Sequence, residues 1–196
     1  MSKRLFLGFI LLSLAACTTT PSPLPTPAAG QIDIEEQAVY SSLLSKMYTA
    51  TSYVLMDTNA TDPGGIENTN QTLDSVLQNM HDVAPGTVDS FRTRNETAHP
   101  IRPDMNLGSP YTLLSQDERN QIFDQNQSGW EIFYGRYPEA PGITSLSRVG
   151  FNANLDQALV YLGTQSNWLA GAGYYILLKK VNGVWSIDQQ VMTWIS

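Results

Sequence analysis

Hydrophobic and polar positions follow three different rhythms along this chain. At the start, Lys3 and Arg4 lead into Leu5-Phe6-Leu7-Gly8-Phe9-Ile10-Leu11-Leu12-Ser13-Leu14, an apolar run without a charge. A helix needs roughly twenty apolar residues to span the hydrocarbon core, so this shorter run predicts a secretory signal and not a permanent span. Over residues 33–48 the apolar side chains Ile34, Ala38, Leu43, Leu44 and Met47 recur largely at helical spacing, with Glu35 and Glu36 in the first turn to suit the helix dipole. Residues 52–57, centred on Tyr53-Val54-Leu55-Met56, predict a short buried strand. Beyond the breaker Asp62-Pro63-Gly64-Gly65, the spacing of Leu73, Val76, Leu77 and Met80 predicts a second helix from about Asn70. A short third helix follows Pro85, with Val88 and Phe91 on its buried side.

Residues 99–104 form a loop, because Pro100 and Pro103 remove backbone donors and bias their predecessors away from helix. Tyr111-Thr112-Leu113-Leu114 reads as a strand leading into a helix opened by the capping box Ser115-x-x-Glu118. Ile122, Phe123, Trp130, Phe133, Tyr134 and Tyr137 carry its apolar face onward until Pro138 stops it, and these aromatics read as core. The period then changes: residues 144–151, 157–162, 173–181 and 184–195 are strand-like, and Asn182-Gly183 is a strong hairpin signal. Tyr161-Leu162 and residues 174–178 are apolar at successive positions, which predicts middle strands covered on both faces, by helices on one side and loops on the other. The expected fold is α+β, N-terminal helices packed on a C-terminal antiparallel β-meander, with cystatin-like or cone-shaped folds as a looser likeness.

Directly after the apolar run, Leu14-Ala15-Ala16-Cys17 resembles the lipobox of bacterial lipoproteins, in which the cysteine thiol is acylated before cleavage. That resemblance implies lipidation of Cys17, a membrane partner reached through the lipid, and, with Thr18 in place of Asp after the cysteine, sorting to the outer membrane. Cys17 is the single cysteine of the chain, so no disulfide competes for it. Pro21, Pro23, Pro25 and Pro27 among small polar residues then make a semi-rigid spacer. The chain divides into a signal peptide over 1–16, acylated cysteine and linker over 17–31, and one globular domain over 32–196.

Loss of the signal removes Lys3 and Arg4 and leaves nine basic against eighteen acidic residues, a formal charge of −9. That balance excludes nucleic acid as an expected partner, and it assigns membrane attachment to the lipid and not to a basic surface. A protein partner in the envelope stays open.

The motifs Ser147-Arg148-Val149-Gly150-Phe151-Asn152, Ala158-Leu159-Val160-Tyr161, Gly171-x-Gly173-Tyr174-Tyr175 and Trp185, with Gly129-Trp130 and Tyr137-Pro138 upstream, resemble an uncharacterised family of exported bacterial proteins. Members tend to carry cysteines where this chain reads Gln165-Ser166-Asn167-Trp168-Leu169, and it has none there. The resemblance implies no activity.

Chemistry is sparse. His81 and His99 are the only histidines, neither lies in a zinc-ligand spacing, and no metal or cofactor is expected. His81-Asp82 fits a base with its orienting carboxylate, but a histidine favoured at a helix C-terminus is the preferred reading. No Gly-x-Ser-x-Gly is present, and Gly171-Ala172-Gly173 lacks the helix and Lys of a phosphate loop. Arg148 stands out, because an arginine inside a strand needs a carboxylate or an anionic ligand. Glu131, Glu139 and Asp156 are the candidate partners by sequence, and Tyr134, Arg136 and Tyr137 the candidates to line the same cleft. The candidate ligand-binding set is therefore Arg148, Glu131, Tyr134 and Tyr137, read either as a site or as a salt bridge pinning helices to sheet. The favoured expectation is a non-enzymatic envelope lipoprotein with a binding domain. The alternatives are a hydrolase of envelope material using Glu131 with Arg148, and an acidic immunity or inhibitor protein.

Overall fold

The computed structural model describes residues 27–60, 73–123 and 128–196; the signal run, Cys17, the Asp62-Pro63-Gly64-Gly65 breaker and the expected helix start near Asn70 lie outside them. Among the described residues the helices are α1 (Ala29–Met47), α2 (Leu73–Leu77), α3 (Pro85–Arg94), α4 (Gln116–Phe123) and α5 (Gly129–Arg136). The strands are β1 (Tyr53–Met56), β2 (Tyr111–Leu114), β3 (Ile143–Leu146), β4 (Gly150–Phe151), β5 (Gln157–Asn167), β6 (Ala170–Val181) and β7 (Val184–Ile195). The α+β class is as expected, with a C-terminal antiparallel meander.

α1 begins at Ala29, inside the stretch expected to be linker: Ala28 before it is extended, and Ile32 already packs against the core. Its buried face differs from the expected one. Ile34 is 69% exposed, whereas Glu35 and Glu36 are buried beside Val39, Tyr40, Leu43 and Leu44. The two acids serve no first-turn dipole; they lie in the second turn and are held by cations from distant parts of the chain.

All seven strands form one sheet in the order β2-β1-β3-β5-β6-β7, with β4 paired to β5. β1 runs parallel to both β2 and β3, so the N-terminal half supplies parallel strands and the meander extends from there. Parallel neighbours require crossovers, and α2–α3 and then α4–α5 provide them. Side-chain alternation sorts the core. Tyr53, Leu55, Val160, Leu162 and Ile176 face α1, while Val54, Leu114 and Ile143 face α4 and α5, and Leu159, Tyr161, Tyr175 and Leu177 face α2 and α3. Helices therefore cover both faces of the sheet, where loops were expected on one.

The capping box forms as expected, with Ser115 N donating to Glu118 Oε2 at 3.0 Å and Glu118 N donating to Ser115 Oγ at 3.2 Å. The helix it opens does not run through to Pro138, since Ser128 is non-helical and α5 starts afresh at Gly129. Asn182 and Gly183 turn β6 into β7 with φ of 51° and 80°, the left-handed pair of a type I′ turn. Between these two strands the register shifts twice, at Gly173/Tyr174 and at Leu177/Leu178.

At Gly150 an added Cβ would stand 2.4 Å from the backbone nitrogen of Phe91, so glycine is what lets α3 seat against β4. Gly150→Ala is expected to destabilise the domain by about 2 kcal/mol, lowering the melting temperature by roughly 4–8 °C. Gly86→Ala, with open space around its Cβ, should leave stability unchanged or raise it by up to about 1 kcal/mol. Thermal denaturation of the two variants checks both.

Candidate functional site

The sequence expects one strand over residues 144–151, but the ladder breaks between β3 and β4 at Ser147-Arg148-Val149. A break in a covered sheet leaves backbone groups that need other partners. Side chains supply them here. Tyr40 Oη donates to the Ser147 carbonyl at 2.7 Å, and the Asn95 amide accepts from Arg148 N at 2.8 Å and donates to Arg148 O at 3.0 Å. Val149 N donates to Glu36 Oε1 at 2.8 Å. Ser147 Oγ accepts from Tyr161 N at 2.8 Å, which stitches the break back to β5.

The same Glu36 oxygen also accepts from Arg148 Nε at 2.9 Å and from an Arg94 terminal nitrogen at 3.0 Å. Two guanidinium groups and a backbone amide thus converge on one carboxylate whose side chain is 10% exposed. Asp33 approaches Arg148 from one turn earlier, at 3.7 Å and with its side chain 45% exposed. Arg148 is consequently the pin between α1 and the sheet. Its partner is Glu36, and none of the carboxylates near it in sequence takes that place: Glu131 is exposed on α5, Glu139 accepts from Thr51, and Asp156 from Asn152. Burial pulls the pKa of the Arg148 guanidinium down, but the hydrogen bond and charge of Glu36, with Tyr40 and Asp33, outweigh it and raise it above the usual arginine value. Glu35, one residue away and therefore turned by about 100° around the helix, makes a second pin through Lys180 Nζ and the Trp185 indole nitrogen.

Beside Arg148 lies a cleft of about 180 Å³ whose lining includes Asp33, Glu36, Tyr40, Asn59, Arg102 and Arg148. Its polar groups are engaged with one another: Asn59 Nδ2 donates to Tyr40 Oη at 3.3 Å and to the Leu146 carbonyl at 3.1 Å, and Arg102 pairs with Asp104. Burial pushes the Tyr40 hydroxyl well above the usual tyrosine range, and the Glu36 charge adds to this.

Tyr134 and Tyr137 do not line this cleft. They stand across the sheet with Trp130 and Phe133 against Val54, Leu114 and Ile143, and Tyr134 Oη donates to the Ser166 carbonyl. The expected pairing of Glu131 and these tyrosines with Arg148 is therefore not assembled, because α5 packs on the face opposite α1. The hydrolase reading built on Glu131 with Arg148 loses its geometry with it. His81 is exposed, with its backbone held by the Gln189 side chain, and among the described residues no group of three metal-ligating side chains comes together.

The α5 side carries a second cleft that sequence reasoning did not anticipate. It measures about 100 Å³ and is lined by Arg119, Phe123, Trp130, Gln165, Asn167 and Trp168, with Ile143 behind them. Phe123 packs edge-on to Trp130 at 4.9 Å and to Trp168 at 6.2 Å, while Arg119 lies over the Phe123 ring at 5.8 Å. Trp168 is 54% exposed and Leu169 84% exposed at the tip of the β5–β6 hairpin. A tryptophan beside a leucine in an otherwise polar turn is the sequence signal that could have found it.

Glu36→Gln keeps the size of the side chain and removes the charge between Arg94 and Arg148. It should cost about 3 kcal/mol in chemical denaturation, whereas Asp33→Asn, at an exposed carboxylate, should cost less than about 1 kcal/mol. A raised folded-state value means that the Tyr40 contribution is fully present below pH 10.0, the ordinary tyrosine value, and is lost as pH rises through the folded one. Tyr40→Phe, which leaves the Ser147 carbonyl without its donor, is expected to lose about 1–2 kcal/mol at neutral pH and to show a shallower fall in stability above pH 10 than the parent protein. No family model, curated protein or solved structure matches this chain.

Proposed function

We infer that this chain is an exported bacterial lipoprotein, acylated on Cys17, whose α+β domain acts as a binding module at the cell envelope, on the outer membrane. The observation that carries the reading is the order of elements before the domain: two cations, an uncharged apolar run, Leu14-Ala15-Ala16-Cys17, and then a proline-rich stretch. Two or three acyl chains on one cysteine give a stable anchor where a single chain would hold only marginally. Residues 18–28 separate the cysteine from α1 and reach at most about 40 Å, so the domain works close to the membrane it is fixed to. None of the described helices is long and apolar enough to cross a membrane, which is compatible with attachment by lipid.

A binding role is favoured over catalysis by the state of the ionisable groups at the Arg148 cleft. Glu36 is committed to two arginines and a backbone amide, and Tyr40 to Ser147 and Asn59, so neither stands ready to exchange a proton with a substrate.

Metabolic labelling with a fatty-acid analogue, followed by membrane fractionation, tests the anchor. The parent protein should take up label and sediment with membranes, and Cys17→Ser should take up none and fractionate away from them. Equal labelling of the two would overturn the assignment.

A further inference from the structure

The aromatic cleft on the α5 side has the makings of a ligand site that the Arg148 cleft lacks. Its volume of about 100 Å³ fits one ring-sized group and no larger molecule. One wall is the exposed Trp168 indole, held perpendicular to Phe123. Around it stand polar groups without a hydrogen bond among the described residues: the Gln165 amide, the Arg119 guanidinium, and the indole nitrogens of Trp130 and Trp168. Asn167 Oδ1 accepts from Trp168 N at 2.8 Å, which fixes that side chain and leaves its Nδ2 donor unengaged. The hairpin tip is braced from below, by Tyr134 Oη on the Ser166 carbonyl and by Ser166 Oγ on the Ala170 carbonyl at 3.0 Å. An apolar surface bordered by a few fixed polar groups is the usual composition of a small-molecule site.

We propose that this cleft binds a pyranose ring of an envelope polysaccharide, stacked on Trp168 and hydrogen-bonded through Gln165, Asn167 and Arg119. A pyranose presents C–H groups on its face and adjacent hydroxyls on its edge. The first suits an indole face, and the second suits planar amides and a guanidinium, each of which offers two groups side by side. Among the described residues no carboxylate lines the cleft. An apolar anchor from a protein partner would leave those donors unpaired on binding, which disfavours it. A stacked nucleobase is disfavoured by the acidic balance of the chain.

Position in the fold agrees. Glu35, near the start of α1, is tied to Lys180 and Trp185 beside the β6–β7 turn, whereas Tyr48, just past its end, meets Thr164 near the β5–β6 tip. α1 therefore runs about 28 Å along the domain from the chain entry toward the cleft. A domain tethered through its N-terminus holds Trp168 at its far end, turned away from the tethering membrane and toward whatever polymer lies beyond. The inference rests on the binding-module reading, but its test is separate from that of the lipid.

The test uses the full chain in detergent, labelled with nitrogen-15, titrated with β-1,4-linked tetramers of N-acetylglucosamine and of glucose. The four tryptophans give four indole N–H signals. Those of Trp130 and Trp168 should shift with at least one tetramer, while those of Trp185 and Trp194, already bonded to Glu35 and Tyr161, should stay in place and report an intact fold. Trp168→Ala should weaken binding at least about tenfold and Gln165→Ala about fivefold, with Leu169→Ser unchanged. No shift with either sugar at about 10 mM, or binding that survives Trp168→Ala, would overturn the proposal. So would an equal loss in Leu169→Ser, which would assign the tip to an apolar protein contact. Loss of sugar binding leaves Cys17 labelling untouched, and failed labelling leaves the cleft untouched, so the two readings fail separately.

Discussion

Glu36 sets the geometry from which much of this domain follows. A carboxylate that is nearly covered must be met by opposite charge and by donors, and it draws Arg94 from α3, Arg148 from the sheet and the Val149 amide to a single oxygen. Those contacts fix α1 on the face of the sheet where β3 gives way to β4, and Tyr40 and Asn95 close the remaining backbone groups of the break. With α1 in that place the other helices are left the opposite face, and the three apolar clusters divide accordingly. The cost of burying so many charges is offset only while all of them stay paired, which is why the arrangement reads as architecture before it reads as a reactive centre.

Local signals carried the C-terminal half into view. The Asn182-Gly183 pair, the Ser115-x-x-Glu118 box and the strand-like stretches 173–181 and 184–195 each depend on neighbours within a few positions, and each takes its expected form. What stayed hidden depends on partners far along the chain. Glu36 reads as a first-turn acid until Arg148, 112 residues later, is placed beside it. The parallel pairing of β1 with β2 and β3 leaves no mark in strands of four residues, and the break at 147–149 is invisible because its hydrogen bonds come from side chains on α1 and α3. Arg148 was recognisable as a residue in need of a carboxylate, but the choice of carboxylate was a matter of tertiary packing. The aromatics through Tyr137 take the core positions their spacing predicts, whereas Trp168, a single aromatic in a turn, has no period to mark it.

The two clefts illustrate how polar groups divide their work. Around Arg148 the polar groups bond chiefly to one another, and buried Arg94 Nε is the exception that has no partner among the described residues. Around Trp168 the scaffold is braced through Tyr134, Ser166 and Asn167, but the Gln165 amide and the Arg119 guanidinium make no hydrogen bond among the described residues. Preorganised yet unpaired groups are what a binding surface needs, since a ligand then meets them without first breaking internal bonds.

β7 closes the sheet on one side with a twelve-residue strand whose outer edge has no neighbour among the described residues. On the proposed anchoring, copies of this protein share a plane and a common orientation, and both conditions raise the frequency with which two such edges meet. A long regular edge would then recruit its neighbour into a continuous sheet. The two register shifts against β6 interrupt the even spacing of amides and carbonyls and increase the local twist. Such irregularities hinder the edge-to-edge pairing that a shared plane would otherwise favour.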